Sequence, residues 1–314
     1  MRASGHPIQL PMRDGVSASV VSVPHGAPDL LDFLAQRMPG ISRREWAERL
    51  DQGLVLHEDG QPARPHQACH AGQRFYYYRH LTDEPLLPFQ AQILFEDAHL
   101  LVVDKPHFMP VTPSGRYVQQ SLLVQLKRLT GCADLVPLHR IDRETAGLVL
   151  FGKRRHDRDA FHALFRDHLI HKTYHAVAAH APHLQLPLVH ASRLAPGEPF
   201  FRSQEVPGPA NSETRIALLH TDGQRALYAL APISGKRHQL RVHMNALGLP
   251  ILGDGIYPTL TPEGHTNPAL PLQLLAQALE FTDPLTGIFR RFESERRLLA
   301  LEGLSQLDSS SLER

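Results

Sequence analysis

Apolar residues in this chain come in short runs, and the runs do not alternate regularly between strand and helix. Leu30, Leu31, Leu34 and Met38 recur at helical spacing, as do Leu122, Leu123, Leu126 and Leu129. Leu100 to Val103 and Gly147 to Phe151 are unbroken apolar runs of strand length. A doubly wound parallel fold needs strict alternation, and a helix bundle needs no strands. A membrane span needs about 18 apolar residues in succession, and the sequence has no such run. The pattern predicts an α+β chain built on a mixed sheet.

Turn and capping residues divide this pattern. Residues 1–24 are expected to be irregular. Residues 25–80 predict a small module of two helices and a hairpin. Pro39-Gly40 stops the first helix, Ser42 caps the second with Glu45 three residues on, and Asp59-Gly60 marks the hairpin turn. Residues 81–92 are polar and proline-bearing and read as a linker. Residues 93–304 form the larger domain, and 305–314 a polar tail. Within the larger domain, strands are predicted at Ile93-Leu94-Phe95, Leu100 to Val103, Gly147 to Phe151, Tyr174 to Ala179, Thr214 to Leu219 and Ala226 to Ala231. Helices are predicted around Leu122, around Phe161 and over 238–247. The proline-bearing segment Gln185 to Asn211 is expected to loop over the surface.

Composition narrows the function classes. Hydrophobic residues are 42% and charged residues 21%, which excludes a wholly disordered chain. Two cysteines in 314 residues exclude a disulfide scaffold and fit a reducing compartment. The start, Met1 to Gly15, has no apolar signal-peptide core, so a cytoplasmic protein is expected. The net charge of +1 gives no global argument for nucleic acid, so any such claim rests on local clusters.

Three segments carry chemistry. In His139-Arg140-Ile141-Asp142-Arg143-Glu144-Thr145-Ala146-Gly147, Asp142 lies between two arginines just ahead of a strand. Nearby cations favour its carboxylate, which can then act as nucleophile or base; a surface ion-pair network is the plainer reading. In Lys172-Thr173-Tyr174, alternation puts Lys172 and Tyr174 on one face of a strand, where a tyrosine can stack on a base or merely pack across strands. In Ser234 to His243, Gly235 permits a turn into a helix, with Lys236 and Arg237 beside the first amides and Arg241 further along. That arrangement suits an anion or is an ordinary basic helix start. Arg43 and Arg44 can contact phosphates, diluted by Glu45 and Glu48. His66-Gln67-Ala68-Cys69-His70 lacks a second cluster to complete a metal set, so no metal is expected.

Together these segments resemble the RluA family of RNA pseudouridine synthases. The resemblance spans about Ile93 to Glu293. It adds Asp104-Lys105-Pro106, the run Gly248 to Asp254, and Leu275-Ala276 with Phe281 and Pro284. Departures are Ile141 for leucine, Ala146 for serine, and Phe108 where the family carries glycine. The front module looks like the small RNA-binding domain first described in a small-subunit ribosomal protein, though less basic.

The resemblance implies a largely antiparallel sheet flanked by helices and the isomerisation of uridine in RNA to pseudouridine, without metal or cofactor. Asp142 becomes the catalytic carboxylate, as nucleophile or base. Tyr174 stacks on the flipped uracil and Arg241 pairs with Asp142. Arg140 fills the gap left by the base, and His139, Lys172, Lys236 and Arg237 join Arg43 and Arg44 as RNA contacts. Ribosomal RNA is expected ahead of transfer RNA, and a monomer ahead of an oligomer. The rival readings are an inactive RNA-binding or ribosome assembly factor and a hydrolase, although glycosidases usually need two carboxylates.

Overall fold

A computed structural model describes residues 10–79, 84–262 and 267–299. The chain divides into two compact units: Met1–Pro85 with Pro113–Gln120 and Val124–Ala133, and Leu86–Thr112 with Ser121–Leu123 and Asp134–Arg314. The expected tail at 305–314 lies outside the described residues, as does part of the linker. No helix among the described residues is long and apolar enough to cross a membrane.

The first unit contains β1 (Ser19–Ser22), α1 (Leu30–Arg37), α2 (Arg43–Asp51), β2 (Val55–Leu56) and β3 (Arg74–Tyr77). The predicted caps form: Asp29 accepts from the Asp32 amide, and Ser42 from the Glu45 amide. Its sheet runs β1-β3-β2, both pairs antiparallel. A helix-helix-hairpin is therefore too small a description. The segment expected to be irregular supplies a third strand, because the β-branched Val21 and Val23 bury themselves in the core with Trp46, Leu34 and Phe75.

The second unit opens with β4 (Gln92–Glu96) and β5 (Leu100–Lys105), followed by α3 (Leu122–Thr130), which straddles the division of the chain. Next come β6 (Val136–Pro137), β7 (Ala146–Gly152), α4 (Arg158–Arg166) and β8 (His171–Ala179). After them run β9 (Leu188–Pro196), β10 (Ser203–Val206), β11 (Ser212–Thr221) and β12 (Arg225–Pro232). The described part ends with α5 (Gln239–Ala246), β13 (Leu274–Thr282) and β14 (Phe289–Glu293). The sheet order is β10-β9-β11-β12-β8-β13-β7-β5-β4, with β14 on β13 and β6 on β7. Among the described residues only β13 and β7 pair in parallel, so the sheet is mixed and largely antiparallel as expected.

Every residue of β5 and β7 is buried, whereas β12 alternates. Unbroken apolar runs suit strands that are covered on both faces. Phe161 and Leu164 of α4 pack with Leu100, Leu148 and Leu150, and Leu240 and Met244 of α5 with Ala176, Tyr228 and Leu230. The surface loop expected over Gln185 to Asn211 is instead the pair β9 and β10. Its prolines sit at strand ends and in connections (Pro187, Pro196, Pro199, Pro207), where a missing amide does no harm.

Candidate active site

The loop bearing Asp142 runs into the buried β7 and is fastened at both ends. At Gly147, φ is +108°, and a Cβ there would lie 2.3 Å from the Ala276 carbonyl oxygen on β13. Only glycine lets the two strands approach so closely. From the end of β5, the Lys105 ammonium donates to the carbonyls of Pro106 (2.9 Å) and Arg143 (3.2 Å). The His107 Nδ1–H donates to the Glu144 carbonyl at 2.6 Å. Burial pushes the Lys105 ammonium down to about 7, against the pull of Glu144 and Asp142. Burial also pushes the His107 imidazole down to about 4. Phe108, where the resemblance leads one to expect glycine, keeps a glycine-like φ of +66° and buries its ring.

Facing this loop is Arg241 of α5, whose side chain is 1% exposed. Its Nε and Nη2 donate to the two oxygens of Asp254 at 2.8 and 2.7 Å, a two-pronged grip. Its Nη1 donates to Asp142 Oδ2 at 3.1 Å, and Glu144 Oε2 stands 3.8 Å from the same nitrogen. The Asp254 side chain is also 1% exposed, and its Oδ1 takes the backbone amides of Ile256 and Tyr257. Burial works against the charge on Arg241. The hydrogen-bonded Asp254, with the charges of Asp142 and Glu144, outweighs it and holds the guanidinium above its ordinary pKa. Asp142 is different: its side chain is 24% exposed and, among the described residues, Oδ1 accepts no hydrogen bond.

Tyr174 lies on β8, its ring packed against the apolar cluster that includes Ala176 and Leu230. Burial, with the Asp142 charge adding to it, raises the phenol pKa, so the hydroxyl is neutral at physiological pH. His238 completes the surroundings. It holds φ +56° as the cap of α5, its Nε2 is 3.9 Å from Asp142 Oδ2, and its Nδ1 is 3.1 Å from the Tyr257 hydroxyl. The arrangement offers a fixed cation, a half-free carboxylate and an aromatic ring in one place.

A sequence model of the RNA pseudouridylate synthase family matches residues 99–246. An uncharacterized RNA pseudouridine synthase from Synechocystis is 33% identical over 73% of this chain and 79% of its own. The dual-specificity RNA pseudouridine synthase RluA of Vibrio cholerae is 30% identical over 68% of this chain and 94% of its own. The chain belongs to the RluA family of RNA pseudouridine synthases. Its fold is shared with the human RNA pseudouridylate synthase domain containing 4, at TM-score 0.54 and 24% identity, over 69% of this chain and 92% of that one. The synthase isomerises uridine in RNA.

Of the residues singled out in sequence, the synthase brings Asp142, Tyr174 and Arg241 together. Arg140 is exposed beside them. Several expected RNA contacts are instead committed internally. The His139 ring accepts the Leu150 amide through Nε2 at 3.1 Å, stacks on Phe165 at 4.8 Å, and is pushed down to about 3 by burial. The Lys172 ammonium donates to the Ser234 carbonyl. Arg237 donates to the carbonyls of Phe200 and Arg202. Lys236 is exposed, but its amide is taken by Gln239 Oε1, and α5 starts only at Gln239. The left-handed turn residue is His238, not Gly235. In the first unit, Arg43 pairs with Asp32 and Arg44 with Glu48, both exposed.

Sequence reasoning missed Asp254, Glu144, His238 and Lys105 as parts of the site. Asp254 had a signal. It follows Gly253, whose φ is +74° and whose Cβ would sit 2.2 Å from the Pro271 carbonyl, so the backbone there is pressed inward and carries the acid with it.

Proposed function

We propose that Asp142 is the catalytic carboxylate of the isomerisation, acting at the ribose or uracil of a flipped uridine. The observation that carries this reading is the uneven environment of its two oxygens. Oδ2 is held by Arg241, and Oδ1 is left for substrate. Arg241 keeps the group ionised and oriented, and Asp254 fixes Arg241 in turn. Tyr174 stacks on the uracil. If its hydroxyl also takes the proton from the uracil carbon, it must release its own, because it is neutral at rest. Arg140 occupies the space of the displaced base, whose extrusion costs about a few kcal/mol.

Ribosomal RNA is the proposed substrate, ahead of transfer RNA; the first unit is an RNA-binding module, and the protein is a cytoplasmic monomer. The resemblance of the first unit to a ribosomal-protein domain supports this, and two cysteines in 314 residues fit a reducing compartment. The pairs of Arg43 and Arg44 are exposed and therefore weak, about 0–1 kcal/mol each, so phosphates can compete for both arginines. Pseudouridine mapping of ribosomal and transfer RNA from cells with and without this protein tests the reading. A site lost from ribosomal RNA and restored by the wild type but not by Asp142→Asn supports it. Loss confined to transfer RNA, or restoration by the variant, overturns it.

A further inference from the structure

Three side chains that play no part in the uridine site converge where α5 meets the sheet edge. His190 lies on β9, Glu205 on β10 and His243 on α5. Each offers one ligand atom, and these atoms all lie within 4.8 Å of one another. His190 Nε2 is 2.7 Å from Glu205 Oε1, and the two imidazole rings stand 4.8 Å apart at 69°. His243 Nε2 faces the hydroxyls of Ser192 (3.1 Å) and Ser212 (3.0 Å). Its Nδ1 is 2.9 Å from Thr214 Oγ1, which is itself fixed by the Gln239 amide group at 3.0 Å. His243 follows Arg241 by two residues, so the two side chains leave the helix about 200° apart.

We propose that His190, Glu205 and His243 bind a divalent metal ion, zinc by their chemistry, which clamps α5 to β9 and β10. Two imidazoles and one carboxylate form a zinc donor set, with a fourth position for water or a serine hydroxyl. Ligands on zinc at about 2.1 Å stand roughly 3.4 Å apart, so small side-chain movements close the cluster. Thr214 supplies the outer hydrogen bond that orients a ligating histidine. The His243 side chain is fully buried, while those of His190 and Glu205 are 20% and 30% exposed, which gives the ion a way in. The ion takes no part in the isomerisation: it braces the helix that carries Arg241.

Nothing in the sequence flags this set, because its members stand 15 and 38 residues apart along the chain. The cluster weighed in sequence, His66 to His70, gains no such set among the described residues. His66 there turns to Asp29 at 2.8 Å.

The full-length protein, stripped with chelator and then freed of it, is titrated with Zn²⁺ against a chromogenic competitor, and separately with Co²⁺. With 21 histidines in the chain, adventitious binding is the comparison to beat. His190→Gln, Glu205→Gln and the double variant provide it, at partly exposed positions whose change leaves the core intact. The expected result is one tight Zn²⁺ per wild-type chain, with affinity about 100-fold or more weaker in the double variant. Co²⁺ should give the visible bands of a four-coordinate ion, and Zn²⁺ should raise the wild-type Tm only. Equal affinity and stoichiometry in wild type and double variant, or a Co²⁺ spectrum unchanged from the free ion, overturns the proposal.

Discussion

Asp142 and Asp254 are bound by different nitrogens of one guanidinium, and they differ in almost everything else. Asp254 is buried, takes two prongs of Arg241 and also holds two backbone amides. Asp142 is a quarter exposed, takes one prong and keeps an oxygen free. On the proposed mechanism, one carboxylate is structural and the other reacts. A buried charge has to be matched completely, whereas a reacting group has to be matched only in part.

The largest effect tests the exposed side. Asp142→Asn should lower kcat by on the order of 10⁴-fold, in line with loss of a catalytic carboxylate elsewhere. It should leave Tm and RNA affinity near wild type, since affinity rests on phosphate contacts. Asp254→Asn should do the reverse in kind. It leaves Arg241 buried with one charge fewer, so chemical denaturation should report a loss of about 3 kcal/mol, with kcat falling as Arg241 loosens. If Asp142→Asn proves the more unstable of the two, the division of labour is wrong.

Tyr174→Phe sharpens the comparison from the substrate side. The ring remains and the hydroxyl goes. Binding should stay normal while product formation falls by about 10²–10⁴-fold, with altered uracil trapped after glycosidic cleavage. A stacking role alone would instead leave Phe near wild type and cost Ala about 1–3 kcal/mol of binding.

A further effect, read in stability alone, concerns the supports of the Asp142 loop. His107 and His139 are neutral in the fold, pushed down to about 4 and about 3. An unfolded histidine titrates near 6.5, so below that pH the unfolded chain takes up protons that the fold refuses. Their contribution is complete above about pH 6.5 and is lost as pH falls towards 4, at up to about 1.4 kcal/mol per pH unit each. Urea midpoints at pH 7 and pH 5 measure this, and His107→Asn should flatten the slope.

How much was legible in sequence follows the same division. Asp142, Tyr174 and Arg241 stood in compact motifs that singly admit plainer readings, and their order along the chain, through the resemblance, gave them their roles. Unbroken runs placed β5 and β7 because a strand covered on both faces must be apolar on both. Asp254 was legible only as a member of the run Gly248 to Asp254 and not by its role, because its partner is thirteen residues away across a loop and the pairing is tertiary. His139 was expected as an RNA contact from the resemblance, yet its ring is spent on Leu150 and Phe165. The strands β9 and β10 were hidden by prolines that lie at their ends rather than within them.

The most direct test of the central claim uses RNA whose uridines carry tritium at the uracil carbon that becomes bonded to ribose. With wild type in excess, tritium should pass to water while the RNA chain stays intact and no free uracil appears. Asp142→Asn should release none above background under the same conditions. Free uracil, shortened chains, or release by the variant at a rate near wild type would contradict an isomerisation carried by Asp142.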